Sequence, residues 1–181
     1  MTAPEPVSPL LVARAQLGDL RALDALLATV QAPLFRHLAA ALGDEHAAED
    51  ALQEVLFTIS RRLGTLREPQ WFRAWAYRIA NRTAMRHARR LRRAPEAVDP
   101  LDLAELPVDL PEPDFDPELV SSLVASIDTL PPASRVVLRL HYLDGLTQPE
   151  IAEALEISVG TVKSRLAYGL AALRRQMRAI R

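Results

Sequence analysis

The chain contains no cysteine, which excludes disulfides and thiolate metal centres and makes a reducing compartment its natural setting. Its 181 residues include only six glycines, and these never cluster into a loop able to cradle a phosphate. No uninterrupted apolar run approaches the ~20 residues that a membrane-crossing helix needs. The first residues, MTAPEPVSPL, lack the basic-then-apolar layout of a signal peptide, so the expected location is the cytoplasm. Sustained apolar/polar alternation is missing, as is any Asn-Gly or Asp-Gly turn between β-branched runs, so no strand competes with the helical pattern. The four histidines (His37, His46, His87 and His141) are scattered, and there is no nucleophile elbow. Together these absences speak against an enzyme, a metal site, a cofactor or a small-molecule substrate.

Charge is present, and it is segregated. The formal net charge is only −1, yet Arg61 to Arg93 carries a dense set of arginines against the single acid Glu68. Ala94 to Pro117 carries Glu96, Asp99, Asp102, Glu105, Asp109, Glu112, Asp114 and Asp116 with no base. From Lys163, the only lysine, the chain is basic again. Two basic blocks divided by an acidic spacer say more about partners than the total does.

The apolar spacing predicts an all-α protein of two small helical domains. Residues 1–9 are proline-rich and polar and read as disordered. Residues 10–93 form a helical bundle: a short helix from Pro9 to Leu17, stopped by Gly18, then one capped by Asp19 with Leu20, Leu23, Leu26, Leu27 and Val30 at helical steps. Pro33 should kink or break it before Leu34, Phe35, Leu38 and Leu42 carry the pattern to Gly43. Asp44 caps a third helix, with Ala48, Leu52, Val55, Leu56, Ile59 and Leu63 inside. After a loop over Gly64–Gln70, a fourth runs from about Trp71 to Arg93, with Trp75, Ile79 and Leu91 buried. Residues 94–117, studded with prolines among the acids, form an extended linker. Residues 118–181 hold the second domain, with Leu119, Leu123, Ile127 and Leu130 inside a helix capped by Asp116 and Val136, Val137, Leu138, Leu140 and Leu143 building the next.

That second domain ends in the pattern of a helix–turn–helix. A helix from about Pro149 to Leu155, with Thr147 as its cap candidate, is followed by the turn Glu156-Ile157-Ser158 and a helix from Val159 that Ser158 can cap. Ile151, Leu155, Ile157, Val162 and Leu166 form the small core that sets the two helices at a steep angle. Val162, Leu166, Leu170, Leu173 and Met177 share the buried stripe of the second helix. Thr161, Ser164, Tyr168 and Arg175 point away from it, flanked by Lys163 and Arg165, a face with donors and positive charge but no acid.

Three further groupings stand out. Arg78, Arg82, Arg86, Arg89 and Arg93 recur at three- and four-residue steps, with His87 and Arg90 alongside, opposite the Trp75/Ile79 side. Like charges this dense repel by a few tenths of a kcal/mol per pair unless an anionic partner is present, and such a stripe can neutralise several phosphates. Trp71 and Phe72 lie beside it, where stacking on unpaired bases and burial in the core are both open; Trp75 reads as core. Asp50, Gln53 and Glu54 share one face of the third helix, with Phe57 one step on; a protein-docking patch and a solvated face are both open.

In DALQEVLF (Asp50–Phe57), WFRAWAYRIANRTA (Trp71–Ala84) and LPPASRVVLRLHYLDGLTQPEIAEALEISVGTVKSRL (Leu130–Leu166), the chain resembles a bacterial RNA polymerase sigma factor of the extracytoplasmic-function (ECF) group of the sigma-70 family. The resemblance implies a promoter-specificity subunit with core RNA polymerase and promoter DNA as partners, and an anti-sigma factor as the usual controller. It implies that Asp50, Gln53, Glu54 and Phe57 dock on the polymerase. Trp71, Phe72, Arg73, Arg78, Asn81, Arg82, Arg86, His87, Arg89 and Arg90 then serve the −10 element, with the Gly64–Gln70 loop capturing a flipped base. Ser158, Thr161, Lys163, Ser164, Arg165 and Tyr168 serve the −35 element.

A linker of roughly 24 residues reaches ~80 Å, and two DNA turns span about 70 Å, so both domains can grip one duplex. Mimicry of nucleic acid by the acidic linker is one reading of its charge; a solubilising spacer is the other. Three positions depart from the family pattern: Asn81-Arg82 where Arg-Asn is common, Glu156 where the turn usually has glycine, and Tyr168 in place of an arginine. The competing readings are a free-standing dimeric helix–turn–helix regulator and a helical adaptor that binds protein only.

Overall fold

In a computed structural model of the chain, the described residues are 7–91 and 126–179, and every regular element among them is helical. The acidic linker over 94–117 and the start of the second domain, with Leu119 and Leu123, lie outside the described residues. Two compact units are present. The first carries α1 (Pro9–Gln16), α2 (Leu20–Leu42), α3 (Glu45–Arg62) and α4 (Phe72–Leu91). The second carries α5 (Pro132–Leu138), α6 (Gln148–Leu155) and α7 (Val159–Ala179).

Local chemistry sets the helix ends. Gly18 and Gly43 take left-handed φ values of 91° and 68°, a conformation glycine adopts without the clash a Cβ brings. Asp19 Oδ1 accepts from the Ala22 amide at 3.1 Å, while Arg14 donates to its other oxygen. The Ala22 amide, and after it the Arg14 guanidinium, hold the Asp19 carboxyl below its ordinary pKa. Asp44 caps α3 through the Ala47 amide at 2.9 Å. Asp44→Ala should therefore cost about 1 kcal/mol. In a thermal unfolding scan this lowers the midpoint of the first unit by roughly 4–8 °C.

Pro33 does not break α2, which is helical without interruption from Leu20 to Leu42. Leu26, Val30, Leu34 and Leu38 are all buried on one stripe that crosses the proline, so core packing holds both halves in register against the loss of one amide hydrogen bond. In length and average apolarity this helix is enough to cross a bilayer, a possibility that counting uninterrupted runs misses because Asp24, Arg36 and His37 interrupt the sequence. Its most apolar stripe instead faces α1, α3 and α4 as the core helix of the bundle.

The buried side of α4 differs from the expected one. Phe72, Trp75, Tyr77, Ala80, Thr83 and Ala84 are buried, whereas Ile79 is half-exposed. Two tight turns, Leu63–Thr65 and Pro69–Trp71, fill much of the loop between α3 and α4.

In the second unit, Ile127, Leu130, Val137, Leu138 and Leu140 are buried with Leu146, Ile151 and Val162. A wide turn over Arg139–Leu143 continues α5, closed by the Asp144 amide on the Arg139 carbonyl. His141 Nδ1 donates to the Leu146 carbonyl at 2.9 Å, tying that turn to the approach of α6.

Candidate nucleic-acid interface

The helix–turn–helix forms as spaced. α6 begins one residue earlier than expected because Thr147 and Glu150 make a reciprocal capping box. Thr147 donates its amide and hydroxyl to Glu150 Oε2, both at 2.8 Å, and accepts from the Glu150 amide at 3.4 Å. The T-x-x-E spacing signals this in the sequence. At the turn, Glu156 is the only non-glycine residue with positive φ among the described residues, at 57°. A side chain there costs roughly 1–2 kcal/mol relative to glycine. The expected strain at this departure from the family pattern is present. Ser158 Oγ then accepts from the Thr161 amide at 3.0 Å and caps α7.

Ile151, Val162, Leu166, Leu170 and Leu173 are buried, while Leu155 and Ile157 are half-exposed at the rim. Gly169 sits where α7 packs on α5: a Cβ there would overlap Leu138 Cδ1 and lie 3.4 Å from Ser134 Cβ. On the outer face Ser158, Lys163 and Tyr168 are exposed, and Thr161, Ser164 and Arg165 are half-exposed. The hydroxyls of Ser158 and Thr161 lie 2.8 Å apart, and Ser164 Oγ donates to the Thr161 carbonyl at 3.0 Å. The polar tip is thus held by its own hydrogen bonds before any ligand arrives, with Lys163 and Tyr168 exposed beside it. Val159, 38% exposed, adds an apolar edge that the sequence reading passed over.

In the first unit Arg82, Arg86, Arg89 and Arg90 are exposed, and Arg73, Arg78, Asn81 and His87 are half-exposed. Arg93 lies outside the described residues. Asn81 also faces inward: its Oδ1 accepts from Nε2 of the buried His37 at 2.8 Å, joining α4 to α2. Phe72 is 1% exposed and belongs to the core, so it is not available for stacking on a base. Trp71 remains half-exposed, its indole N–H donated to Glu68 Oε2 at 3.1 Å. The loop before it is anchored from α1, where Gln16 Nε2 donates to the Leu63 and Leu66 carbonyls at 3.0 and 2.7 Å. No spacing rule reveals a contact between residues so far apart in the chain.

On α3, Asp50 and Gln53 are exposed, and Phe57 is 62% exposed with the Arg61 guanidinium 5.6 Å from its ring centre. Beside them an open groove between α2 and α3 is lined by Ala28, Ala32, Phe35, Leu52 and Leu56, with Glu49 and Gln53 on its rim. Glu54 behaves differently from its neighbours. Its Oε1 lies 2.7 Å from Arg86 and its Oε2 3.1 Å from His87 Nε2, so both oxygens are engaged with α4. Among the described residues no cluster of His, Cys, Asp or Glu has the arrangement of a metal site.

The family model for Sigma-70 region 2 matches residues 26–94, and that for Sigma-70 region 4 matches residues 121–173. The chain is 32% identical over 166 residues to the RNA polymerase sigma-H factor of Pseudomonas aeruginosa, covering 86% of each protein. It is 30% identical over 171 residues to the ECF RNA polymerase sigma-E factor of Escherichia coli K12, again covering 86% of each. Among solved structures, CnrH in complex with the cytosolic domain of CnrY is similar with a TM-score of 0.67 at 23% identity, over 94% of this chain and 97% of that one. The sigma factor RpoE of Bartonella quintana, solved with the anti-sigma factor NepR, gives a TM-score of 0.62 at 17% identity, over 87% of this chain and 98% of that one. At these identities the two structures speak for the fold.

Proposed function

The chain belongs to the extracytoplasmic-function group of the sigma-70 family of RNA polymerase sigma factors, and from that premise we propose how its two units divide the work. The first, over residues 10–93, docks on core polymerase and engages the −10 element. The second, over residues 118–181, holds the −35 duplex, and the 94–117 linker joins them. The observation that carries this division is a polar recognition face on α7, separate from an arginine face on α4 that lies beside an exposed docking patch on α3. A dimeric repressor needs no such patch, and the matches to both sigma regions set that rival aside.

On this reading Asp50, Gln53 and Phe57 meet the polymerase, with the α2/α3 groove taking apolar side chains from the same surface. Arg78, Arg82, Arg86, Arg89 and Arg90 neutralise phosphates, while the Gly64–Gln70 loop and Trp71 receive an unstacked −10 base. Lys163, Ser164, Arg165 and Tyr168 reach the −35 major groove, with Ser158 and Thr161 fixing the tip. The protein acts in the cytoplasm and has no catalytic activity of its own; the bond-forming chemistry belongs to the polymerase. An anti-sigma factor is the proposed controller, as in the complex of the Bartonella quintana relative.

The test separates two kinds of DNA contact. Lys163→Ala should weaken binding to all sequences and reduce the salt slope of log affinity by about 0.9, one phosphate's worth. Ser164→Ala should change which −35 sequence is preferred, read by selection from a randomised promoter pool with assembled holoenzyme. Equal loss on every sequence from Ser164→Ala would count against base reading at that position.

A further inference from the structure

Glu54 is the member of the α3 patch that turns away from it. Both its carboxylate oxygens are committed to α4, to Arg86 at 2.7 Å and His87 at 3.1 Å. Arg86 also donates to the hydroxyl of the buried Thr83 at 2.8 Å. One nitrogen, Nη2, therefore holds both partners while the side chain stays 51% exposed. A carboxylate only accepts, so His87 Nε2 carries the proton in this contact. The geometry places Glu54 against Arg86 and His87 of the α4 arginine face, linking the docking helix to the DNA helix.

We propose that Glu54 is a positioning residue for DNA recognition: it fixes the direction of Arg86 and His87 and offsets the Arg86 charge. A phosphate approaching Arg86 also meets the negative charge of Glu54. Indiscriminate attraction is thus reduced, and only nucleic acid whose shape fits the fixed guanidinium gains the full set of contacts. Asp50 and Gln53, exposed on the same helix, carry no such link to α4 in the described contacts. The inference rests on the reading of α4 as the −10 helix and adds to it a source of selectivity on α3.

The experiment uses Glu54→Gln in the full chain assembled with core polymerase. Glutamine keeps the shape and removes the charge. Binding to a short oligothymidine strand is measured across salt, beside a promoter fragment selected by the wild-type holoenzyme. The variant should bind oligothymidine several-fold more tightly at low salt, with a slope steeper by about 0.7, one added single-strand phosphate contact. Discrimination between the two DNAs should fall at least about threefold. In the double variant Glu54→Gln/Arg86→Gln the slope should return to the wild-type value or below, giving a non-additive cycle. Unchanged slope and discrimination, or an Arg86→Gln effect equal in both backgrounds, would overturn the proposal. So would a loss confined to polymerase affinity. Should Glu54→Gln lower the melting temperature, Glu54→Asp restores the charge, and wild-type slope in that variant supports the same conclusion. Failure of the sigma reading itself is separable, because wild-type holoenzyme would then select no promoter fragment.

Discussion

Asp50→Arg should lower the affinity of the chain for core RNA polymerase by roughly 30-fold or more. Asp50 is exposed on α3, next to the exposed Gln53 and one turn from the α2/α3 groove. An exposed acid in the first turns of the proposed docking helix is available to basic partner groups. Reversing it places like charges together at a cost of several kcal/mol, and about 2 kcal/mol already corresponds to a factor near 30. Folding should be nearly untouched, since substitutions at exposed positions usually stay within about 0.5 kcal/mol. Phe57→Ala belongs to the same test: the ring is 62% exposed, so its loss costs the fold little but removes an aromatic anchor. Titration of labelled core enzyme with each variant decides the matter. Wild-type affinity in Asp50→Arg would remove α3 from the docking surface.

The second large effect concerns stability. Gly169→Val should destabilise the second unit by about 1–3 kcal/mol, because a well-packed interior cannot absorb added methyl groups without shifts. The overlap is with the end of the Leu138 side chain, which is 0% exposed, while Cβ of the fully buried Ser134 lies at contact distance. The bundle of α1–α4 should keep its own transition, so calorimetry or hydrogen exchange would show the loss confined to α5–α7. Gly160 provides the contrast. The nearest atom to an added Cβ there is Ser158 Oγ at an ordinary 3.6 Å, and alanine is favoured over glycine in a helix by up to about 1 kcal/mol. Gly160→Ala should therefore leave stability unchanged or raise it. Equal tolerance at the two glycines would contradict the close approach of α5 and α7.

Much of this was legible in the residues alone. Caps such as Asp19, Asp44 and Ser158 announce themselves locally, and the apolar spacing located α3, α6 and α7 within a residue or so. The turn strain at Glu156 was also legible, because a non-glycine residue at a position requiring positive φ is visible as a departure from pattern. What escaped were features decided by packing across long sequence separations. Pro33 reads as a breaker until the common stripe of Leu26, Val30, Leu34 and Leu38 is seen to span it. Phe72 could be read from spacing alone as either a stacking aromatic or core, and its burial decides for the core. Glu54 shares a helical face with Asp50 by spacing, yet its long side chain reaches across to α4. The hydrogen bond from His37 to Asn81 likewise joins residues with no local signal.

The central claim is that this chain confers promoter-specific initiation on core RNA polymerase, and in vitro transcription tests it most directly. Core enzyme is mixed with the purified chain and a pool of promoter fragments from its own genome, and transcripts are mapped to their start sites. The account predicts discrete transcripts that depend on added chain, begin downstream of shared −10 and −35 sequences, and vanish with Asp50→Arg. Transcription from core enzyme that is unchanged by the chain at any concentration would contradict it.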